Sequence, residues 1–140
     1  MNRSEIREHS LCFLYQTSVQ RTDIDSQFAY FIKERGLKDD DLEFFTSLVN
    51  GVREKSSELD TEIVKFLVDW KLERIPILDH CILRMAAYEM MYLPDIPVAV
   101  SISEAVNLAK RYCNEGAYSY INAILGNLHR EVQDSGESAT

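Results

Sequence analysis

Apolar residues recur at intervals of three and four positions through nearly all of this 140-residue chain, and no other feature constrains its fold as strongly. That interval is the period of an α-helix with one buried face. Only 5 glycines and 3 prolines are present, so few turns are available. No alternating strand pattern, internal repeat or low-complexity segment occurs. The sequence therefore predicts an all-α protein of about seven helices.

Composition predicts one folded unit that needs no disulfide or metal to hold it. A chain of this length buries roughly two-thirds of its unfolded surface. The cysteines at 12, 81 and 113 are odd in number, have no metal-ligand spacing and fall in apolar helical stretches. No signal peptide and no apolar run long enough to span a membrane is recognisable. We therefore expect a cytoplasmic protein.

Local signals predict where several helices begin and end. Gly36 suits the C-terminal stop of a second helix. Gly51 lies inside the third helix, where it predicts close packing against a neighbour. Pro76 suits the first turn of a fifth helix. Ser101 and Glu104 have the spacing of a capping box, so we expect the sixth helix to begin there.

No pattern typical of a catalytic site occurs, whether phosphate loop, nucleophile elbow or zinc protease motif. His9, His80 and His129 lie in separate predicted helices, so a shared metal or acid–base role is not expected. Adjacent helical residues point about 100° apart, which argues against a nucleophilic pair of His80 and Cys81. The acidic run at 39–41 suits a helix start better than a calcium loop. We expect a binding protein with no catalytic residue, cofactor or metal.

A net charge of −8 excludes a protein that coats nucleic acid by bulk electrostatics, so any such surface must be local. Arg3 and Arg7 lie four residues apart on one face of the first helix, a spacing that can clamp phosphates. Glu5 and Glu8 stand beside them, and an ordinary solvated surface is the alternative. Lys110, with the arginine that follows it, suits the end of the sixth helix through the helix dipole and needs no function.

Aromatic and charged residues of the middle segment have structural interpretations. Trp70 is predicted to end the apolar stripe of a fourth helix. Trp70, Tyr88 and Tyr92 have the residue types of a base-stacking platform, but aromatic residues at helical spacing favour core packing. Arg84 and Glu89 both lie in the predicted central helix and are interpreted as a structural ion pair.

Several segments from residue 48 to residue 125 keep a distinctive order. Residues 79–89 read DHCILRMAAYE, which matches the pattern D-x-x-I-L-R-x-A-x-Y-E. WKLER at 70–74, IP at 96–97, VSISEAV at 100–106 and YINAIL at 120–125 follow in matching order and spacing. Through the order and spacing of these segments the chain resembles the NusB family of transcription factors, and the resemblance covers nearly the whole chain.

The resemblance implies a fold of seven helices in a single domain over residues 1–133. An N-terminal subdomain would occupy about residues 1–56 and a C-terminal one about residues 57–133, with a frayed polar tail over 134–140. It also implies transcription antitermination: binding of boxA RNA together with NusE, a protein of the small ribosomal subunit. The RNA polymerase antitermination complex would then read through terminators on ribosomal RNA operons, without any catalysed reaction.

The resemblance also implies two sets of site residues. The RNA-binding set lies at the first helix, the end of the sixth and the start of the last: Arg3, Arg7, Lys110, Glu115, Gly116, Tyr120 and Asn122. Ser4 and Glu5 stand where further arginines are often found, which predicts weaker RNA binding. Glu73 and Asp79 match the acidic surface that the family presents to NusE, where opposite charge would steer a basic partner.

Two other functions remain open at this point. The first helix has fewer arginines than family members often have, which favours a helical interaction module with weak or lost RNA binding. NusB-like domains are also fused to ribosomal RNA methyltransferases, although this chain has no methyl-donor-binding glycine motif. The resemblance leaves monomer and homodimer as alternatives.

Overall fold

The computed structural model describes residues 1–68 and 71–138, with side chains up to residue 133. Over these residues it contains seven α-helices, one 3-10 turn and no strand, which confirms the all-α prediction. The helices are α1 (Arg3–Val19), α2 (Ile24–Arg35), α3 (Asp39–Glu54), α4 (Ser56–Val64), α5 (Ile77–Tyr92), α6 (Val98–Tyr112) and α7 (Ala117–Ser138). The 3-10 turn is Leu72–Arg74. The predictions made for Trp70 fall outside the described residues.

Helix α5 is the centre of the fold. It packs against α1, α3, α4, α6 and α7, because it is apolar around most of its circumference. Its buried residues Cys81, Ile82, Leu83 and Met85 join a single core cluster that reaches from α1 to α7. No helix in the described part of the chain has an apolar stretch that could cross a membrane.

The two glycine predictions are confirmed. Gly36 ends α2 in the left-handed region at φ 66°, and its N–H donates to the carbonyls of the last turn. A Cβ atom added at Gly51 would overlap the ring of Tyr88, so the missing side chain lets α3 approach α5 closely. Tyr88 and Tyr92 pack against the core with ring centroids 5.3 Å apart, as their helical spacing predicts.

Two predicted helix ends are wrong. Helix α6 begins at Val98, after Pro97, so Ser101 lies within its first turns and does not cap it. Instead of accepting from a backbone N–H as a cap does, its hydroxyl donates to the buried carboxylate of Glu89 at 2.8 Å, a charge-assisted hydrogen bond. Helix α4 ends at Val64, short of the stripe predicted to reach residue 70. Helix α7 extends to Ser138, and fraying of the tail from residue 134 stays a prediction.

The predicted Arg84–Glu89 ion pair is also wrong. Arg84 donates to Asp60 of α4 at 2.8 and 2.5 Å, and His80 shares the same carboxylate at 2.7 Å. Positions five apart on a helix point in different directions, so each side chain finds a partner on another helix. Burial opposes ionisation of Asp60, but hydrogen bonds from Arg84 and His80 outweigh it and lower its pKa to about 2. These bonds fasten α4 to α5.

Candidate nucleic-acid interface

The N-terminus of α1 lies beside α6. Ser4 donates to Glu104 of α6 at 2.5 Å, and Glu8 accepts from both Arg111 and Tyr112 at the end of that helix. These contacts bring the first turns of α1 to the junction of α6 and α7. Exposed residues at this junction are Lys110, Arg111, Tyr118 and Asn122, and together with the exposed Arg3 at the start of α1 we refer to them as the basic face.

Cations and an aromatic ring are adjacent on the basic face. The Lys110 ammonium lies 4.9 Å from the centre of the Tyr118 ring. The Arg111 side chain is 61% exposed and donates to Glu8 at 2.9 Å, so most of its fork still faces solvent. Arg3 is exposed at the start of α1, with its guanidinium 3.9 Å above the Phe44 ring of α3. A cation beside a π face suits a phosphate and a base of one nucleotide.

The predicted phosphate clamp of Arg3 and Arg7 is not formed, because Arg7 is buried. Its side chain is only 4% exposed and donates two hydrogen bonds to Glu89, at 2.8 and 2.9 Å. The position shares the inward side of α1 with Ile6, Ser10 and Leu11. Breaking a buried ion pair by removing one partner typically destabilises a protein by about 3–5 kcal/mol. Arg7 therefore anchors α1 to α5.

A groove of about 520 Å³ lies on another side of α7. Glu115, Gly116 and Tyr120 line it, together with the loop before α5. Gly116 turns the chain into α7 in the left-handed region, at φ 89°. Tyr120 is half-buried, and its hydroxyl donates to Asp79 on α5. Burial and this bond to Asp79 raise the pKa of Tyr120.

Asp79 does not belong to an acidic surface. It is 4% exposed at the bottom of the groove, where it accepts the hydrogen bond from Tyr120. Burial and the nearby Asp79 carboxylate also raise the pKa of the Cys113 thiol to about 12. The expectation that Asp79 faces a protein partner is therefore overturned. Glu73, the other predicted acidic contact, is exposed in the 3-10 turn.

The predicted RNA-binding residues divide between the two sides of α7. Residues two positions apart on a helix point about 200° apart, so Tyr120 faces the groove while Asn122 faces away from it. Asn122 is exposed and shares its side of α7 with Tyr118, four positions earlier. The sequence reasoning passed over Tyr118 and assigned no function to Arg111. The four-residue spacing from Tyr118 to Asn122 could have indicated that Tyr118 lies on the same side of α7 as the predicted contact Asn122.

The adjacent pair of His80 and Cys81 does not have the environment of a nucleophilic site. Cys81 is buried, and burial raises the pKa of its thiol. His9 has a lowered pKa because of burial and the adjacent Arg35. Among the described residues no group of three or more histidine, cysteine or carboxylate side chains is placed to hold a metal ion.

Comparisons with known proteins give a consistent family. The model of the NusB family matches residues 4–130. The transcription antitermination protein NusB of Bacillus subtilis (strain 168) is 42% identical over 135 residues, which cover 96% of this chain and 100% of that protein. A solved structure of T. maritima NusB is 30% identical with a TM-score of 0.86, covering 94% of this chain and 92% of that one.

The same fold occurs in a crystal structure of antitermination factors NusB and NusE in complex with dsRNA. That match has a TM-score of 0.82 and covers 92% of this chain and 96% of that one. At 22% sequence identity it shows likeness of fold.

Proposed function

This chain belongs to the NusB family, and we propose that it acts as a transcription antitermination factor that binds RNA together with NusE. Its RNA is of the boxA type, and the assembled complex promotes read-through by RNA polymerase on ribosomal RNA operons. Its relatives carry the name transcription antitermination protein NusB, and the match extends over 96% of this chain. The chain contributes binding surfaces and no catalysed reaction.

The observation that carries this proposal is the basic face. In a chain with a net charge of −8, Lys110 and Arg111 are exposed in succession at the end of α6, and Arg3 is exposed at the start of α1, which contacts α6. Tyr118 adds an exposed ring beside Lys110, on which an unstacked base can lie. Cations hold the backbone of single-stranded RNA, and aromatic rings hold its bases, so this surface has both elements of such a site.

Glu8 and Glu104 limit the affinity of the basic face for RNA alone. Both carboxylates already accept hydrogen bonds from residues of α1 or α6 at this surface. They reduce the positive potential that a phosphate meets. If a second RNA-binding protein is held next to this face, RNA bound by one of the two proteins meets the binding groups of the other at a high effective concentration. Joint binding with NusE is therefore the mechanism we propose.

Contact with NusE is assigned to the surface around Glu73. This carboxylate is exposed, and Arg74 beside it lines the groove that ends at Asp79 and Tyr120. The negative net charge of the chain favours the approach of a basic ribosomal protein.

Fluorescence anisotropy with labelled boxA RNA, with and without NusE, tests the proposal. We expect NusE to raise the RNA affinity, and Lys110→Ala combined with Tyr118→Ala to lower it. Lys33→Ala, an exposed lysine on α2, is the matched control and should leave RNA affinity unchanged. An RNA affinity that neither NusE nor the double substitution alters would refute the proposal.

The buried position of Arg7 favours a second candidate function, an interaction module that binds NusE without RNA. It leaves Arg3 as the only exposed member of the predicted arginine pair. The two candidates differ in one measurement. Retained NusE binding, with RNA affinity no greater than that of an unrelated acidic protein, supports the second.

A further inference from the structure

A second concentration of positive charge lies at the other end of α1. A cavity of about 390 Å³ opens between the C-terminal end of α1, the α3–α4 junction and α5. We call it the arginine cleft. Three arginines line it, accompanied by hydroxyl-bearing residues. Its polar lining consists of Arg21, Arg53, Arg84, Thr17, Ser18 and Ser56.

The positive charges of the arginine cleft are incompletely neutralised within the protein. Arg84 is paired with Asp60, but over the described residues no carboxylate lies within salt-bridge distance of Arg21 or Arg53. Arg21 donates to the backbone carbonyl of Ser18 at 3.2 Å, which leaves its other N–H groups available. Like charges gathered around one cavity repel each other, and an anion placed between them relieves that repulsion.

The hydrogen-bonding capacity of the cleft also favours an anion. Thr17 and Ser18 already donate their hydroxyl protons to α1 carbonyls, at 2.9 and 2.7 Å. The donors left for a ligand are therefore the guanidinium groups and Ser56. Ser56 is the first residue of α4, where a helix favours negative charge close to its N-terminus. Every one of these groups is a donor or a positive charge.

We propose that the arginine cleft binds a phosphate group. The planar fork of arginine matches two phosphate oxygens at once, which a lysine cannot do. The volume of about 390 Å³ exceeds that of a phosphate alone and falls within the range of small-molecule sites, roughly 300–1,000 Å³. The cleft accommodates a phosphate with an attached group about as large as a nucleoside.

The arginine cleft is separate from the basic face. Arg3 and Ser18 are fifteen residues apart on α1, and a rise of 1.5 Å per residue places them about 22 Å apart. The same phosphate chemistry has two sources, a free nucleotide or the backbone of RNA that extends beyond the basic face. Both present an anionic phosphate ester to Arg21 and Arg53.

Isothermal titration calorimetry of the full chain tests the site. The probes are uridine 5′-monophosphate, inorganic phosphate and uncharged uridine. We expect the two phosphates to bind and uridine not to bind. Arg53→Ala and Arg21→Ala should each weaken nucleotide binding about tenfold, because each removes charge-assisted hydrogen bonds.

Arg130→Ala is the matched control, since Arg130 is an exposed arginine of α7 outside the cleft. Because Arg21 and Arg53 are exposed, their replacement should not unfold the chain. Absence of phosphate and nucleotide binding by the unaltered chain would overturn the proposal. An equal loss of nucleotide affinity in Arg130→Ala would overturn the proposal as well, because such a loss would show nonspecific attraction between the nucleotide and arginines anywhere on the surface.

A boxA RNA titration of the same variants identifies the source of the phosphate. If the nucleotide competes with RNA, and if Arg53→Ala lowers the affinity for the nucleotide and for RNA alike, the cleft holds the RNA backbone. If RNA affinity is unchanged while nucleotide binding is lost, the ligand is a free phosphate ester. The calorimetric test uses no RNA, so it distinguishes failure of this site from failure of the basic face.

Discussion

Arg3 and Arg7 lie one helical turn apart and have opposite environments. Arg3 is exposed above Phe44, whereas Arg7 is 4% exposed and paired with Glu89. Sequence reasoning placed both on one surface because it detects spacing along a helix and not what the helix packs against. The partner of Arg7 is 82 positions away, on α5. Such distant pairs leave no local pattern.

Replacement of Arg7 tests this environment. We expect Arg7→Ala to lower the free energy of unfolding by about 3–5 kcal/mol, because it leaves the Glu89 carboxylate buried without a counter-charge. Arg3→Ala should lower it by less than about 1 kcal/mol, the usual value of an exposed cation–π contact. Urea unfolding measures both. An Arg7→Ala protein that is as stable as the unaltered chain but binds RNA more weakly would contradict the buried pair. It would support the prediction that Arg3 and Arg7 clamp a phosphate.

Asp60 makes the stability of the chain depend on pH in the acid range. Its folded pKa of about 2 lies below the ordinary value of 3.8. The stabilisation that it supplies with Arg84 and His80 is therefore present above about pH 4 and is lost as the pH falls towards 2.

Asp60→Asn should remove part of this dependence. We expect the variant to be less stable at pH 6 and to lose less stability than the unaltered chain between pH 4 and pH 2. Urea unfolding at several pH values gives the two curves, with the exposed Asp40→Asn as control. Parallel curves for Asp60→Asn and the unaltered chain would show that the bonds to Arg84 and His80 do not set the acid sensitivity.

At the level of the helices, periodicity predicted the elements correctly, and local signals predicted their ends less well. Helix α5 was identified as central from its apolar circumference, and it packs against five other helices. The start of α6 was misplaced because a serine that resembles a cap binds a distant carboxylate instead. A helix end depends on such tertiary partners, which the local sequence does not contain.

The approach of α3 to α5 depends on the absence of a side chain at Gly51. We expect Gly51→Ala to destabilise the chain by about 1–3 kcal/mol, because the new methyl group must displace the Tyr88 ring. Thermal unfolding measures this change. Gly51→Ala combined with Tyr88→Leu should recover part of the loss, and Gly126→Ala, which meets no close neighbour, is the control. An undiminished stability of Gly51→Ala alone would contradict the close packing.

At the scale of the whole molecule, the charge distribution explains how an acidic chain can bind RNA. The net charge of −8 repels RNA from most of the surface, and the basic face presents three exposed cations. The sequence predicted that such a surface must be local, and the family resemblance indicated its approximate place. Which side of α7 takes part could not be derived, because helical spacing separates Tyr120 from Asn122 but does not show which of the two faces α5.

The same distribution predicts a shallow salt dependence of RNA binding. Three cations that each neutralise one phosphate of single-stranded RNA give a slope of about −2 for log affinity against log salt concentration. Lys110→Ala should make the slope shallower by about 0.7. Anisotropy titrations at several potassium chloride concentrations provide both values. A slope much steeper than that of three contacts would mean that RNA extends over other basic residues.

The bond of Arg7 to Glu89 sets a boundary for shortened versions of this protein. Removing residues 1–3 would take away Arg3 and leave the buried pair and the buried Ile6 in place. A deletion that includes residue 7 would strand the Glu89 carboxylate and the Ser101 hydroxyl bonded to it inside the fold. Deletion series at the N-terminus should therefore show two separate thresholds, first for RNA affinity and then for the folded state itself.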